Sequence, residues 1–356
     1  MLQELKALVE TESPSRDMVA LSTCAVLLSG FGRRLLGVAP EQLVVDGRVH
    51  LRWSFGTPRV ALLCHFDTVW PVGTIERLPF HVDGGRAYGP GIFDMKSSII
   101  QSLHALAQLS NLDGIELLVT SDEEIGSPTS RPLIEDLARR VEAVLVIEPS
   151  QAGALKTGRK GVGMYRLRII GRAAHAGFPH EGVNATLELA HQVQVISALG
   201  REEVGTTVTP TSAGSGTTNN VVPGEAHVAI DVRVPDAAEQ DRVDAALRAL
   251  TPVIAGARLE LDGGPNRPPL EPTSTAALFA VAQEVGRAVG LGELRGAIVG
   301  GASDGNFAAA VGARTLDGLG CVGDGAHADH EHIIVSALPE RTALLAALVQ
   351  ELLQRP

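Results

Sequence analysis

Cysteine is scarce: Cys24, Cys64 and Cys321 are three residues in a chain of 356. They are odd in number, far apart and form no C-x-x-C pair, which excludes a disulfide framework and a paired-thiol motif. The expectation is buried free thiols in a reducing compartment. The first residues, MLQELKALVETESPSRD, lack the apolar core of a signal peptide. No stretch approaches the about 20 apolar residues of a membrane span. A soluble, cytoplasmic protein is therefore expected. Basic residues are in the minority, 30 against 41 acidic ones, for a formal net charge of -11. That balance argues against nucleic acid and anionic membrane surfaces as partners. Repeats and low-complexity tracts are also lacking.

What is there is ordinary globular material, 45% hydrophobic and 20% charged, long enough for about two domains. Leu2, Leu5, Leu8 and Val9 share one face of a helix over 2–10, which Pro14 ends. The apolar runs RVALLC (59–64), IELLVT (115–120) and VEAVLVI (141–147) read as buried strands. Helical patterns at 97–109 and 130–140 lie between them, so a mostly parallel sheet with helices on both faces is expected.

Near residue 160 the pattern changes to alternation. In AHVAIDVRV (226–234), Val228, Ile230, Val232 and Val234 face one way; His227, Asp231 and Arg233 face the other. Strand-like segments 164–170, 204–209, 226–234 and 257–261, with helices at 183–198 and 239–250, give the order β-α-β-β-α-β of a ferredoxin-like module. GGPNRPP (263–269) reads as a linker. A helix at 274–289, a strand near 296–299 and a helix at 339–353 follow. The expected organisation is an α/β domain, 1–158 with 267–356, interrupted by an α+β insertion, 159–266.

Three apolar strands end in groups that bind metals or move protons. His65 and Asp67 follow the first, and Asp67 is placed to brace the second ring nitrogen of His65. Asp122, Glu123 and Glu124 follow the second; one glutamate can ligate while its neighbour acts as base. Glu148 follows the third, where an acid costs free energy unless paired or bound. Each is weak evidence alone, but open α/β sheets place ligands at strand ends, and all three fall there. Asp94, in the turn AYGPGIFDMK, can bridge two cations. His327, after a glycine-rich turn, is preferred over His330 and His332, which read as surface residues. The count is His65, Asp94 and Glu148 for one metal, and Glu124, Asp94 and His327 for the other. Three protein ligands and an open position is the catalytic zinc pattern. Mixed N/O ligands suit Zn²⁺, with Mn²⁺ or Co²⁺ possible.

The segments HFDTVWPVGT (65–74), AYGPGIFDMK (87–96), TSDEEIGS (120–127), VIEPS (146–150), GRAAHAG (171–177), NNVVP (219–223), DVR (231–233) and GGASDG (300–305) are, with His327, those of a known family. The chain resembles the di-zinc metallopeptidases and deacylases, above all the glutamate carboxypeptidase G type. Acetylornithine deacetylase, succinyl-diaminopimelate desuccinylase and aminoacylase are relatives. The resemblance implies a two-zinc catalytic domain and an inserted lid or dimerisation domain. It implies hydrolysis of an amide beside a free carboxylate, an N-acyl amino acid or peptide substrate, and a homodimer. His65, Asp94, Glu124, Glu148 and His327 match the metal ligands, Glu123 the general base and Asp67 the residue that steers His65. His175 matches a histidine reaching the partner subunit's site. Asn220, Arg233 and the backbone from Gly301 to Ser303 match the substrate-carboxylate end. Met95 departs from the pattern, standing where relatives often carry a second acid. The alternatives are an N-acyl amino acid deacylase and, in another class, a non-catalytic metal-binding scaffold.

Overall fold

The computed structural model describes residues 1–355. Its principal strands, in chain order, are β1 (Glu41–Val45), β2 (Arg48–Phe55), β3 (Val60–His65), β4 (Ile115–Thr120), β5 (Ala143–Val146), β6 (Gly161–Ile170), β7 (Thr207–Ser215), β8 (Glu225–Val234), β9 (Arg258–Arg267) and β10 (Thr315–Leu316). Its principal helices are α1 (Leu2–Glu10), α2 (Met18–Leu36), α3 (Ser97–Leu106), α4 (Arg131–Arg140), α5 (Ala185–Ser197), α6 (Ala237–Arg248), α7 (Pro272–Ala288), α8 (Asp304–Ala310) and α9 (Ala337–Gln354). Two compact units form: Met1–Gly158 with Leu270–Val299 and Ser303–Pro356, and Arg159–Pro269 with Gly300–Ala302.

The first unit is built on a six-stranded sheet, β1-β2-β4-β3-β5-β10. β3 runs parallel to β4 and β5, and β10 parallel to β5, whereas β1 and β2 are antiparallel additions. The central strands are buried throughout because both faces are covered. Leu62, Cys64, Leu117, Val119 and Leu145 join residues of α1, α2, α3, α7 and α9 in one core. Their neighbours Ala61, Leu63, Leu118, Val144 and Val146 join α4 and α8 residues in another. This period-two division is what a strand between two helical layers requires.

β1, β2 and α2 are elements the sequence reading did not contain. Asp17 caps α2 by accepting from the backbone of Val19 and Ala20, both at 3.0 Å. By length and composition α2 could cross a membrane, contrary to the expectation that no stretch comes near a span. Yet Leu21, Cys24, Ala25, Leu28, Phe31 and Gly32 form a buried face, as in a core-packed amphipathic helix. Gly32 lets α2 approach β2: a Cβ there would lie 2.4 Å from the Trp53 ring.

The second unit is built on a four-stranded sheet, β7-β8-β6-β9, all antiparallel, beside a small two-stranded one that pairs Ala174–His175 with Val221–Val222. With α5 after β6 and α6 after β8, this is the ferredoxin-like order. Val228, Ile230, Val232 and Val234 face its core with Leu189, Ile196, Val243 and Leu247 of the helices. The segment expected as a linker is strand through Arg267, because GGP continues the pairing of β9 with β6. Gly263 makes this possible: its φ is +92°, and a Cβ would lie 2.2 Å from the Met164 carbonyl oxygen.

Candidate metal centre

Parallel register assembles the site. His65 pairs with Thr120, and Leu63 with Val146. The chain segments that follow therefore leave the sheet at one level, carrying His65 and Asp67, Asp122 to Glu124, and Glu148. Asp122 is buried and shapes its own loop, its Oδ2 accepting from the Thr129 amide at 2.7 Å and from the Thr129 hydroxyl at 2.6 Å. It is a structural acid beside two that point elsewhere.

His65 Nδ1 donates to the Asp67 carbonyl oxygen at 3.0 Å, and the Asp67 carboxylate lies 3.4 Å away. A carbonyl can only accept, so Nδ1 carries hydrogen and the Nε2 lone pair of the neutral ring faces the site. The bracing expected of the Asp67 carboxylate thus falls mainly to its carbonyl. The carboxylate has a further task, accepting the backbone N–H groups of Glu123 and Glu124, each at 3.2 Å.

His65 Nε2 lies 3.1 Å from Asp94 Oδ1 and 3.4 Å from Glu148 Oε1. His327 Nε2 lies 3.5 Å from Asp94 Oδ2 and 3.1 Å from Glu124 Oε1. Donor atoms of His65, Asp94 and Glu124 all lie within 4.8 Å of one another. Two triads, each of one imidazole and two carboxylates, therefore share Asp94 through different oxygens. This donor set fits two divalent cations with N/O preference.

The electrostatics point the same way. Burial would lower the His65 ring, but Asp67, Asp94 and Glu148 raise it well above its ordinary value. Hydrogen bonds to Asp94 and Glu124 raise His327 to about 10. Burial would raise Asp94, but His327 and His65 overcome it and hold the carboxyl far below the usual range. Burial, helped by the Asp94 charge, pushes Glu124 up to about 7. The same carboxylates that favour a positive charge on the two rings would favour divalent cations between them, for which the rings must be neutral.

Glu123 is nearly buried, on the single turn Glu123–Ile125. Met95 is buried, and its sulfur accepts the His65 N–H at 3.3 Å. At the position of the absent second acid it thus packs under a candidate ligand. Lys156 Nζ stands 3.6 Å from the second oxygen of Glu148; no sequence pattern distinguishes this lysine. His330 is exposed as expected, but His332 is not a surface residue: it is buried in the short strand His332–Ile334, against Tyr88. Glu331 is buried as well, and sequence reasoning missed it. The rule that singled out Glu148, an acid against an apolar strand, applies equally to Glu331 in EHII.

The remaining candidates belong to the second unit. His175 is exposed in the two-residue strand Ala174–His175, its Nδ1 accepting the Gly177 N–H at 3.0 Å. Asn220 is exposed nearby, its carbonyl accepting the Ala176 N–H at 2.9 Å. The Gly301 carbonyl accepts from Arg159 at 3.2 Å. Arg233 Nε and Nη2 donate to the two oxygens of Asp231 at 2.8 and 2.9 Å. Residues two apart share a strand face, so the Nε/Nη2 edge of the guanidinium is engaged within the chain. Ser303 belongs to the first unit, where it is buried and caps α8.

Comparison with known proteins agrees with this chemistry. Residues 61–351 match the model of Peptidase family M20/M25/M40. Carboxypeptidase G2 of Pseudomonas sp. (strain RS-16) is 31% identical, over 83% of this chain and 74% of its own. Succinyl-diaminopimelate desuccinylase of Azoarcus sp. (strain BH72) is 30% identical, over 89% of this chain and 90% of its own. Among solved structures, the M20-family metallo-carboxypeptidase Sso-CP2 from Sulfolobus solfataricus shares the fold, with a TM-score of 0.78 at 18% identity and 98% coverage of each chain. A dinuclear metal-binding M20 peptidase of Bacillus subtilis gives a TM-score of 0.65 at 17% identity, covering 98% of this chain and 97% of its own. The chain belongs to Peptidase family M20/M25/M40 and is a metal-dependent amide hydrolase.

Proposed function

We propose that the protein is a two-zinc carboxypeptidase-type hydrolase that cleaves an amide bond beside a free carboxylate. The carrying observation is the division of Asp94, one oxygen toward His65 and the other toward His327. It supports His65, Asp94 and Glu148 as ligands of one cation, and Glu124, Asp94 and His327 as ligands of the other. When bound, the two cations supply Lewis acidity to water and to the scissile carbonyl.

Glu123 takes the proton of the attacking water and returns it to the leaving amine nitrogen. Asp67 orients the His65 ring and holds the backbone of Glu123 and Glu124. In the second unit, His175 is assigned to the oxyanion. With Nδ1 accepting from Gly177, the neutral ring carries hydrogen on Nε2 and is a donor there. Arg233, fixed in plane by Asp231, receives the substrate carboxylate with Asn220 and Gly301. The second unit also pairs two copies of the chain, supported by its sheet ending on an open, largely exposed strand, β7. A reducing, cytoplasmic setting is supported by three buried free cysteines.

A deacylase of N-acyl amino acids would use the same machinery, and the desuccinylase relatives favour that second reading. The zinc-loaded protein should be tested on N-acyl glutamate and other N-acyl amino acids, N-succinyl diamino acids and dipeptides. The carboxypeptidase reading expects highest kcat/KM where an acidic or other C-terminal amino acid is released from an acyl or peptidyl group. Preference for N-acetyl or N-succinyl diamino acids would replace it with the deacylase.

A further inference from the structure

Glu331 is a buried acid that the mechanism above does not use. Its Oε2 accepts the Gly91 N–H at 2.9 Å and the Trp70 indole N–H at 2.9 Å. Its Oε1 accepts the backbone N–H groups of Phe93 at 2.9 Å and Asp94 at 3.0 Å. Two donors on each oxygen is the full acceptor capacity of a carboxylate.

Those four donors lie on segments with a common purpose. Trp70 lies in the segment that begins at His65 and Asp67. Gly91, Phe93 and Asp94 are the turn that presents the shared carboxylate. Glu331 itself lies four residues beyond His327. One side chain thus connects the three segments bearing His65, Asp94 and His327. Ionised groups make the stronger hydrogen bonds, and three of these fix the backbone of the turn instead of a side chain. A displacement of this backbone by a few tenths of an ångström would move both Asp94 oxygens together.

We propose that Glu331 is the positioning residue of the two-cation site, holding the Asp94 turn so that its carboxylate can serve both cations. This rests on the ligand reading under Proposed function. Glutamine is close in size, but its amide nitrogen would meet N–H donors with no lone pair, so Glu331→Gln releases part of the turn. Outer partners of metal ligands typically contribute 10–100-fold in affinity.

The test is titration of metal-stripped protein with Co²⁺, followed by visible absorption, and with Zn²⁺ against a competing chelator. Glu331→Gln should weaken cation affinity by about 10–100-fold and alter the Co²⁺ spectrum. Leu348→Ala, in the core of α9, supplies a general loss of stability and should leave both readouts unchanged. A folded Glu331→Gln protein with wild-type affinity and spectrum overturns the proposal, as does an affinity loss no larger than that of Leu348→Ala. If Glu331→Gln does not fold, Trp70→Phe decides, since it removes one of the four donors. A several-fold weaker affinity with a shifted spectrum supports the proposal, and wild-type values overturn it. Asp94→Ala separates the two levels. If it binds cations as tightly as wild type, the ligand reading itself fails. If it loses them while Glu331→Gln does not, only the role of Glu331 fails.

Discussion

Glu123 and Glu124 are adjacent, of the same type and held by the same acid, yet they are assigned different work. The reason is local geometry. They begin a single tight turn, Glu123–Ile125, in which successive side chains diverge by about 120°. Glu124 reaches His327 at 3.1 Å, so Glu123 leaves the turn in another direction. Asp67 fixes both backbones without touching the division. Glu123→Ala should therefore keep both cations but lose turnover by at least about 10²–10⁴-fold, the usual contribution of a general base. Metal content measured alongside kcat checks this, with Glu124→Ala as the contrasting variant that loses metal. Robust turnover by metal-loaded Glu123→Ala would remove the base from Glu123.

At the scale of elements, α2 shows how packing overrides propensity. Alanine in place of a mid-helix glycine stabilises a helix by about 0.5–1 kcal/mol. At Gly30 nothing lies within 4 Å of the added carbon, and that gain should appear in full. At Gly32 the carbon would sit 2.4 Å from Cζ2 of Trp53. That ring is buried and its indole N–H donates to the Val38 carbonyl at 3.3 Å, so it cannot swing aside cheaply. Overpacking costs about 1–3 kcal/mol, which exceeds the gain. Urea unfolding should show Gly30→Ala stabilised and Gly32→Ala destabilised; equal behaviour would mean the α2–β2 contact yields easily. The same contrast explains what was legible in the sequence. β3, β4 and β5 are readable because a strand covered on both faces must be continuously apolar. The ferredoxin-like unit is readable because its open face forces alternation. β1 is the sheet's edge strand and β2 its antiparallel neighbour, and polar residues interrupt the apolar signal in both, although the turn Asp46–Gly47, with both φ angles positive, is a hairpin signature. GGPNRPP misleads because glycine and proline usually break strands, whereas here Gly263 fits where no side chain could. In the site, strand ends disclosed the acids and histidines. Of the partners that hold them, Lys156 is brought in by tertiary structure and no pattern marks it, whereas Glu331, four residues beyond His327, carries the same signal as Glu148, a buried acid against an apolar strand.

At the scale of the whole molecule, the question is which chains complete a site. The cation-binding candidates all lie in the first unit, and His175, Asn220, Arg233 and Gly301 in the second. If copies of the chain pair through the second unit, His175 can serve either its own subunit's cations or the partner's. Two inactive variants distinguish these routes. Glu123→Ala lacks the base but keeps His175; His175→Ala lacks the proposed oxyanion donor but keeps the base. Within one chain neither variant has a complete site. In a mixed dimer with exchange across the interface, one of its two sites gains an intact Glu123 and an intact His175, and the other has neither. Random pairing at equal amounts then leaves about one site in four complete. Co-refolded or subunit-exchanged mixtures should recover activity of that order, rising with the fraction of mixed dimer seen by differential tagging. Confirmed mixed dimers without recovery would place His175 in the site of its own subunit. A chain that stays monomeric at all concentrations tested would remove the pairing on which the exchange depends.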